Sequence, residues 1–237
     1  MTNLKPLLWV SALRIFACFS LLLLIVTRLL IPRLAAWSGQ ETILMWFLAA
    51  GLGVFAPLLV TALGMIRKEG LGLNSQTWRD RLRFKALSRR DLGWSLGGLL
   101  LIGLLTALLM KGLEFCLGSF NHTPSFMSFE PLSTGRYWLL AVWFPFWLLN
   151  IMGEEILWRG VLLPRQEIAS GRSAWLIHGL GWGLFHLAFG WQLGLSLIPI
   201  LFILPWVVQK TGNSWTGVII HAGLNGPGFV AIALGLI

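Results

Sequence analysis

Apolar runs about as long as a bilayer is thick recur along this 237-residue chain, and they dominate what it can become. Lipid offers no partners to backbone N–H and C=O groups, so a run of this kind must satisfy them internally, as a helix does. A span needs about 20 residues to cross the hydrocarbon. Helices are therefore expected near 7–31, 43–66, 92–117, 137–163, 174–190, 194–209 and 214–236. The fold class is all-α, a polytopic transmembrane bundle of about seven helices, with six to eight as the range. The fifth and sixth are short and joined by Gly190-WQL-Gly194, so one of them is a candidate re-entrant segment.

Composition closes off the other classes. With 57% hydrophobic residues, 11% charged and a mean hydropathy of +0.78, this is not an ordinary soluble domain. Fourteen Trp suit interfacial belts and tight helix packing. The net charge of +9 does not argue for nucleic acid, because eight of the 18 Lys and Arg lie between Arg67 and Arg90. Such a cluster beside membrane spans is a cytoplasmic topology signal that also suits anionic headgroups. Cys18 and Cys116 both fall in apolar stretches and imply no disulfide framework or zinc knuckle. The first apolar run lacks a small-residue cleavage site and is expected to be retained as a helix. In that run, Arg14 is expected to face protein or snorkel, and Arg28 is near enough to an end to snorkel.

The chain forms a single membrane domain over 1–237: N-terminal helices over 7–136 carrying the basic loop 67–91, then a core over 137–236. With the N-terminus inside, Lys5, the eight residues of the loop, Arg165, Arg172 and Lys210 share the inner side, against Arg33, Lys111 and Arg136 outside. The positive-inside rule thus sets the N-terminus in the cytoplasm. Within the basic loop, Trp78-RDRLRFKAL has amphipathic character; the second loop, Ser119 to Gly135, is polar and nearly uncharged, with His122 in it. Gly93-WSL-Gly97 and Gly179-LGW-Gly183 have the spacing of small-residue packing faces.

Acidic residues stay out of the apolar runs with one exception. Seven of the nine sit in loops or near segment ends, but Glu154 and Glu155 lie side by side after Tyr137-WLLAVWFPFWLLNIM-Gly153. A carboxylate at bilayer depth costs a few kcal/mol or more and usually has a partner and a task. Glu155 and Arg159 are at i and i+4 with the acid first, the favoured order for a helical ion pair. Glu154 points about 100° away and lacks that cation. His186, and His221 with Asn225 at i+4, are the other polar side chains placed where apolar ones would be cheaper. Counted from the inner helix ends at about 1.5 Å per residue, Glu154, His186, His221 and Asn225 fall ~12–19 Å deep. Counted from the outer ends they scatter over roughly 7–26 Å. The site is therefore expected nearer the cytoplasmic side. A carboxylate able to act as base, beside donors able to hold an oxyanion, suits a reaction that passes through a tetrahedral intermediate.

These residues resemble a known family. Glu154-Glu155-Ile156-Leu157-Trp158-Arg159 fits the EExxxR signature of the CPBP family, the CAAX prenyl endopeptidase type II and bacteriocin-processing group of intramembrane proteases. Thr211-GNSWTGVII-His221-AGL-Asn225 looks like its HxxxN motif, and Trp182-GLF-His186 like its FxxxH motif with Trp in the Phe place. The resemblance covers roughly residues 140 to 228. It implies a catalytic set of Glu154, Glu155, His186, His221 and Asn225, in which Glu154 and His186 activate the attacking water, His221 and Asn225 stabilise the oxyanion and Glu155 braces the site, with Arg159 and Trp182 as structural support. Glu154, His186 and His221 could in principle bind Zn²⁺. With no HExxH in the sequence and Glu154 needed as base, the metal-free, glutamate-dependent reading is favoured, with no cofactor.

The implied partners are the lipid bilayer and a membrane-associated protein or peptide substrate, in a bacterial plasma or equivalent inner membrane. His178 matches no motif and is left out of the site. Two other readings compete: a catalytically silent scaffold or assembly factor that keeps the fold, and a proton-coupled carrier. The carrier reading lacks the paired halves that transporters usually show.

Overall fold

A computed structural model describes residues 4–121, 123–133 and 135–236; His122 lies outside the described residues. The protein is an all-α integral membrane bundle. Helix α1 covers Trp9–Ser38, α2 Thr42–Lys68, α3 Arg89–Leu117 and α4 residues 138–170. Then come α5 (Ala174–His186), the short α6 (Trp191–Ser196), α7 (Ile198–Thr211) and α8 (Ser214–Ala233). Among the described residues, five helical runs are long and apolar enough to cross a membrane, one of them the whole stretch Trp138–Phe189.

The seven expected segments are all helical, with three differences of extent. α1 continues through Pro32 to Ser38 and stops at Gly39, whose φ of 67° turns the chain back. α4 does not break at Pro164. Its hydrogen bonds widen to i→i+5 over Glu155–Leu162, and Pro164 falls just where regular helix resumes, so its missing N–H is tolerated. The break comes at Gly171, with φ 56° and ψ −129°. The link 190–196 holds α6 between α5 and α7, which have only 13 and 14 residues. At about 20 Å each they are shorter than the hydrocarbon is thick.

Two ends of the bundle are distinguishable by what is tied to them. At the basic end, Leu7 N donates to Arg165 O at 2.9 Å, so the N-terminal segment sits beside the end of α4. There too Gln209 of α7 bridges the α4–α5 turn, accepting from Trp175 N at 3.0 Å and donating to Gly171 O at 2.9 Å. At the opposite end Leu132 N donates to Ala233 O at 2.8 Å, and Arg136 pairs with Glu41.

The basic loop is folded onto its end of the bundle rather than left in solvent. Leu82 and Phe84 are buried, and Trp78 and Phe84 rings lie 5.4 Å apart. Arg81 pairs with Glu69 at 2.6 Å and donates to Gly160 O at 2.9 Å. Arg83 holds a left-handed φ of 61°, uncommon for a side chain of this size, and is pinned by Glu167 at 2.7 Å and by Ser214 N donating to its carbonyl at 2.8 Å. Ser88 and Asp91 form a reciprocal cap that starts α3, and Asn213 caps α8.

Helix packing in lipid relies on close contact rather than on water exclusion. A Cβ at Gly179 would lie 2.6 Å from Leu201 O, so this glycine admits α7 against α5 as its spacing predicts. The Gly93 and Gly97 pair does not pack: a Cβ at either meets nothing within 4 Å. On α3 it is Gly98 that faces Ile220 and Val207, while Leu96, Leu100, Leu104 and Leu108 form an exposed stripe suited to lipid. Arg14 is exposed rather than turned to the protein.

Candidate active site

Three helices supply the polar groups. α4 brings Glu154 and Glu155 at the start of its wide turn, where residues Glu155 through Leu162 are all buried. α5 brings Trp182 and His186, and α8 brings His221 and Asn225. One cavity of about 310 Å³ is lined by Glu154, His186, His221 and Asn225 together, with Asn150 and Trp182 beside them. The four residues expected to share a site do share one wall-to-wall space.

Glu154 is 2% exposed and both of its oxygens are held. Oε2 accepts from the Trp182 indole Nε1 at 2.7 Å, and Oε1 from Asn150 Nδ2 at 3.1 Å. Both donors are neutral. Asn150 is a site residue that the sequence reading missed, although its i−4 spacing from Glu154 was a usable signal.

Glu155 is fully buried and stands apart from the cavity lining, so it acts on the site through others. Its Oε1 lies 3.1 Å from Arg159 NH1 and 2.9 Å from His221 Nδ1. The arginine contact is an ion pair without hydrogen-bond alignment, since no guanidinium nitrogen finds an aligned acceptor. Arg159 instead stacks its guanidinium 3.6 Å over the Trp182 ring. Gly217 of α8 abuts Glu155 Oε2 where any Cβ would stand, which lets α8 approach the carboxylate.

The hydrogen bonds set the imidazole orientations. His186 Nδ1 is 2.9 Å from the Trp182 carbonyl, which can only accept, so Nδ1 carries a proton and Nε2 is left with its lone pair in the neutral ring. His221 Nδ1 likewise donates to Glu155, leaving its Nε2. Asn225 stands one turn beyond His221 on the cavity wall and is exposed. His178, left out of the site, is buried elsewhere against Gln166 Oε1 at 2.6 Å and the edge of Phe16.

The residues do not make a metal site as arranged. Among the described residues no three His, Cys, Asp or Glu gather closely enough to hold an ion, and both oxygens of Glu154 accept from N–H donors.

The cavity runs towards the end opposite the basic loop. Its lining takes Trp143, Phe146 and Trp147 from the first part of α4, Phe229 and Ile232 from the last part of α8, and Thr123, Pro124 and Met127 from the second loop. At the basic end the floor is closed: Ser214 Oγ donates to Leu82 O at 2.6 Å, and Arg81 caps the Gly160 carbonyl.

Fold and site together define a polytopic helical membrane protein with a largely apolar chamber of about 310 Å³ into which a few polar side chains converge. Residues 136–226 match the model of the type II CAAX prenyl endopeptidase Rce1-like family, a segment that runs from the start of α4 into α8. The match supports intramembrane proteolysis as the general activity. No curated protein and no solved structure matches the chain.

Proposed function

We propose that this protein hydrolyses a peptide bond of a membrane-associated protein or peptide, using a water activated by Glu154 and His186. The single observation that carries the reading is the shared cavity of Glu154, His186, His221 and Asn225. The water oxygen attacks the peptide carbonyl carbon as its proton passes to Glu154. The resulting oxyanion is held by Asn225 and by His221. Donation from His221 Nε2 requires the doubly protonated ring, whose charge Glu155 balances across the 2.9 Å contact at Nδ1. Glu154 then returns the proton to the amide nitrogen, the C–N bond breaks to give a carboxylic acid and an amine, and the acid's proton passes to the amine, so that a carboxylate and an ammonium leave. A positioned base of this kind contributes about 10²–10⁴-fold in rate, and an oxyanion donor about 10²–10³-fold.

The reading takes Glu154 as base and not as ligand, so turnover should survive chelation. Activity lost to a chelator and restored by Zn²⁺ would refute that part. We further propose that the basic loop faces the cytoplasm, following the Lys and Arg distribution, so that the cavity mouth faces the other side. Substrates would then be membrane-protein segments or peptides presented from the extracytoplasmic face.

Purified protein in liposomes, presented with a library of membrane peptides beside Glu154→Ala, tests the proposal. Cleavage products from the wild type alone are expected. Proton-coupled flux without cleavage would identify a carrier, and neither activity a silent scaffold.

A further inference from the structure

Trp182 occupies the position where the FxxxH pattern has Phe, and it touches Glu154, Arg159, His186 and His221. Its ring meets His186 edge-on with centroids 5.1 Å apart and His221 edge-on at 5.6 Å. The Arg159 guanidinium lies 3.6 Å over its face. A Phe could reproduce those ring contacts. It could not reproduce the indole N–H, which donates to Glu154 Oε2 at 2.7 Å.

We infer that Trp182 is a positioning residue whose N–H fixes the Glu154 carboxylate against the cavity, with Arg159 stacked behind it. Three observations support a built arrangement rather than a chance contact. The indole is 1% exposed, so no water competes for its N–H. The second Glu154 oxygen is tied to Asn150 at 3.1 Å, so carboxylate rotation is blocked from two helices, α4 and α5. The cation on the ring face polarises the indole, and a charge-assisted bond to a carboxylate in low dielectric is stronger than a neutral one. The same residue's carbonyl orients His186, so one position in α5 sets both members of the water-activating pair. The consequence is chemical: this chain's base carries a second neutral donor that an F-type motif cannot supply, and its orientation depends on it.

The inference rests on Glu154 being the base, and its test separates the two. Two replacements of Trp182 are needed: Trp182→Phe, and 3-benzothienylalanine, which keeps the bicyclic shape and the stack but replaces N–H with sulfur. On a peptide that the wild type cuts, both should lower kcat by about ten- to a hundredfold with KM within twofold and thermal midpoint unchanged for the isostere. Full kcat in the isostere, alongside a dead Glu154→Ala, overturns the inference and leaves the base assignment standing. Turnover retained in Glu154→Ala overturns the base assignment instead. Ultraviolet resonance Raman gives a readout that needs no turnover: the wild-type minus Glu154→Ala difference should show one indole losing a strong N–H bond. A flat difference spectrum also overturns the inference.

Discussion

One oxygen of Glu155 serves two partners, the Arg159 guanidinium at 3.1 Å and the His221 imidazole at 2.9 Å, and this sharing decides what Arg159 is for. With the carboxylate fully buried, removing Arg159 leaves a charge with only an imidazole to answer it. Breaking a buried pair from one side typically costs about 3–5 kcal/mol. Arg159→Met should therefore lower detergent stability, read as a drop in the thermal midpoint, along with turnover. Intact stability with abolished turnover would instead make Arg159 a direct participant. At this scale the sequence spoke clearly along a helix and poorly between helices. The Glu155–Arg159 spacing was readable because i and i+4 share a face. The Asn150–Glu154 pair has the same spacing yet went unread, since an Asn in an apolar helix ordinarily reads as glue between helices. The contacts of Trp182 with Glu154 and of Glu155 with His221 join residues 28 and 66 positions apart, and no periodicity encodes them.

At the scale of elements, close approach governs. Gly217 leaves room for the Glu155 carboxylate and Gly179 for the α7 backbone. Gly217→Ala should displace Glu155 or α8, with a loss of about 1–3 kcal/mol of stability from overpacking and reduced turnover. Gly93→Ala, with open space around it, should leave both unchanged. A Gly217→Ala protein as stable and active as the wild type would show that α8 does not lean on that carboxylate. The two small-residue patterns were indistinguishable in sequence, because spacing reports which residues share a face but not which face meets a neighbour. Helix extents were blurred for a related reason. Pro164 reads as a stop, but the wide turn before it supplies the backbone adjustment that lets α4 continue to Ser170.

For the molecule as a whole, charge count and cavity direction combine into a testable topology. The basic loop closes one end through Arg81, Arg83 and Leu82, and the chamber runs to the other under the second loop. A cysteine introduced as Asn121→Cys, with Cys18 and Cys116 replaced by Ser, should react with a membrane-impermeant thiol reagent from the outside of intact cells; Gln76→Cys should not. The reverse pattern would place the mouth in the cytoplasm. The all-α class and the four polar residues were legible because lipid makes polar side chains expensive and therefore conspicuous. The direction of the cavity was not, since it depends on how the basic loop and the second loop fold over the two ends. The central claim is that the Glu154 carboxylate activates the water, and the kcat of Glu154→Gln in liposomes tests it most directly. Glutamine keeps the shape and can still meet Trp182 and Asn150, but it cannot take the proton. The account predicts a fall of about 10²-fold or more with an unchanged thermal midpoint; a Glu154→Gln protein cutting within a few fold of the wild type would contradict it.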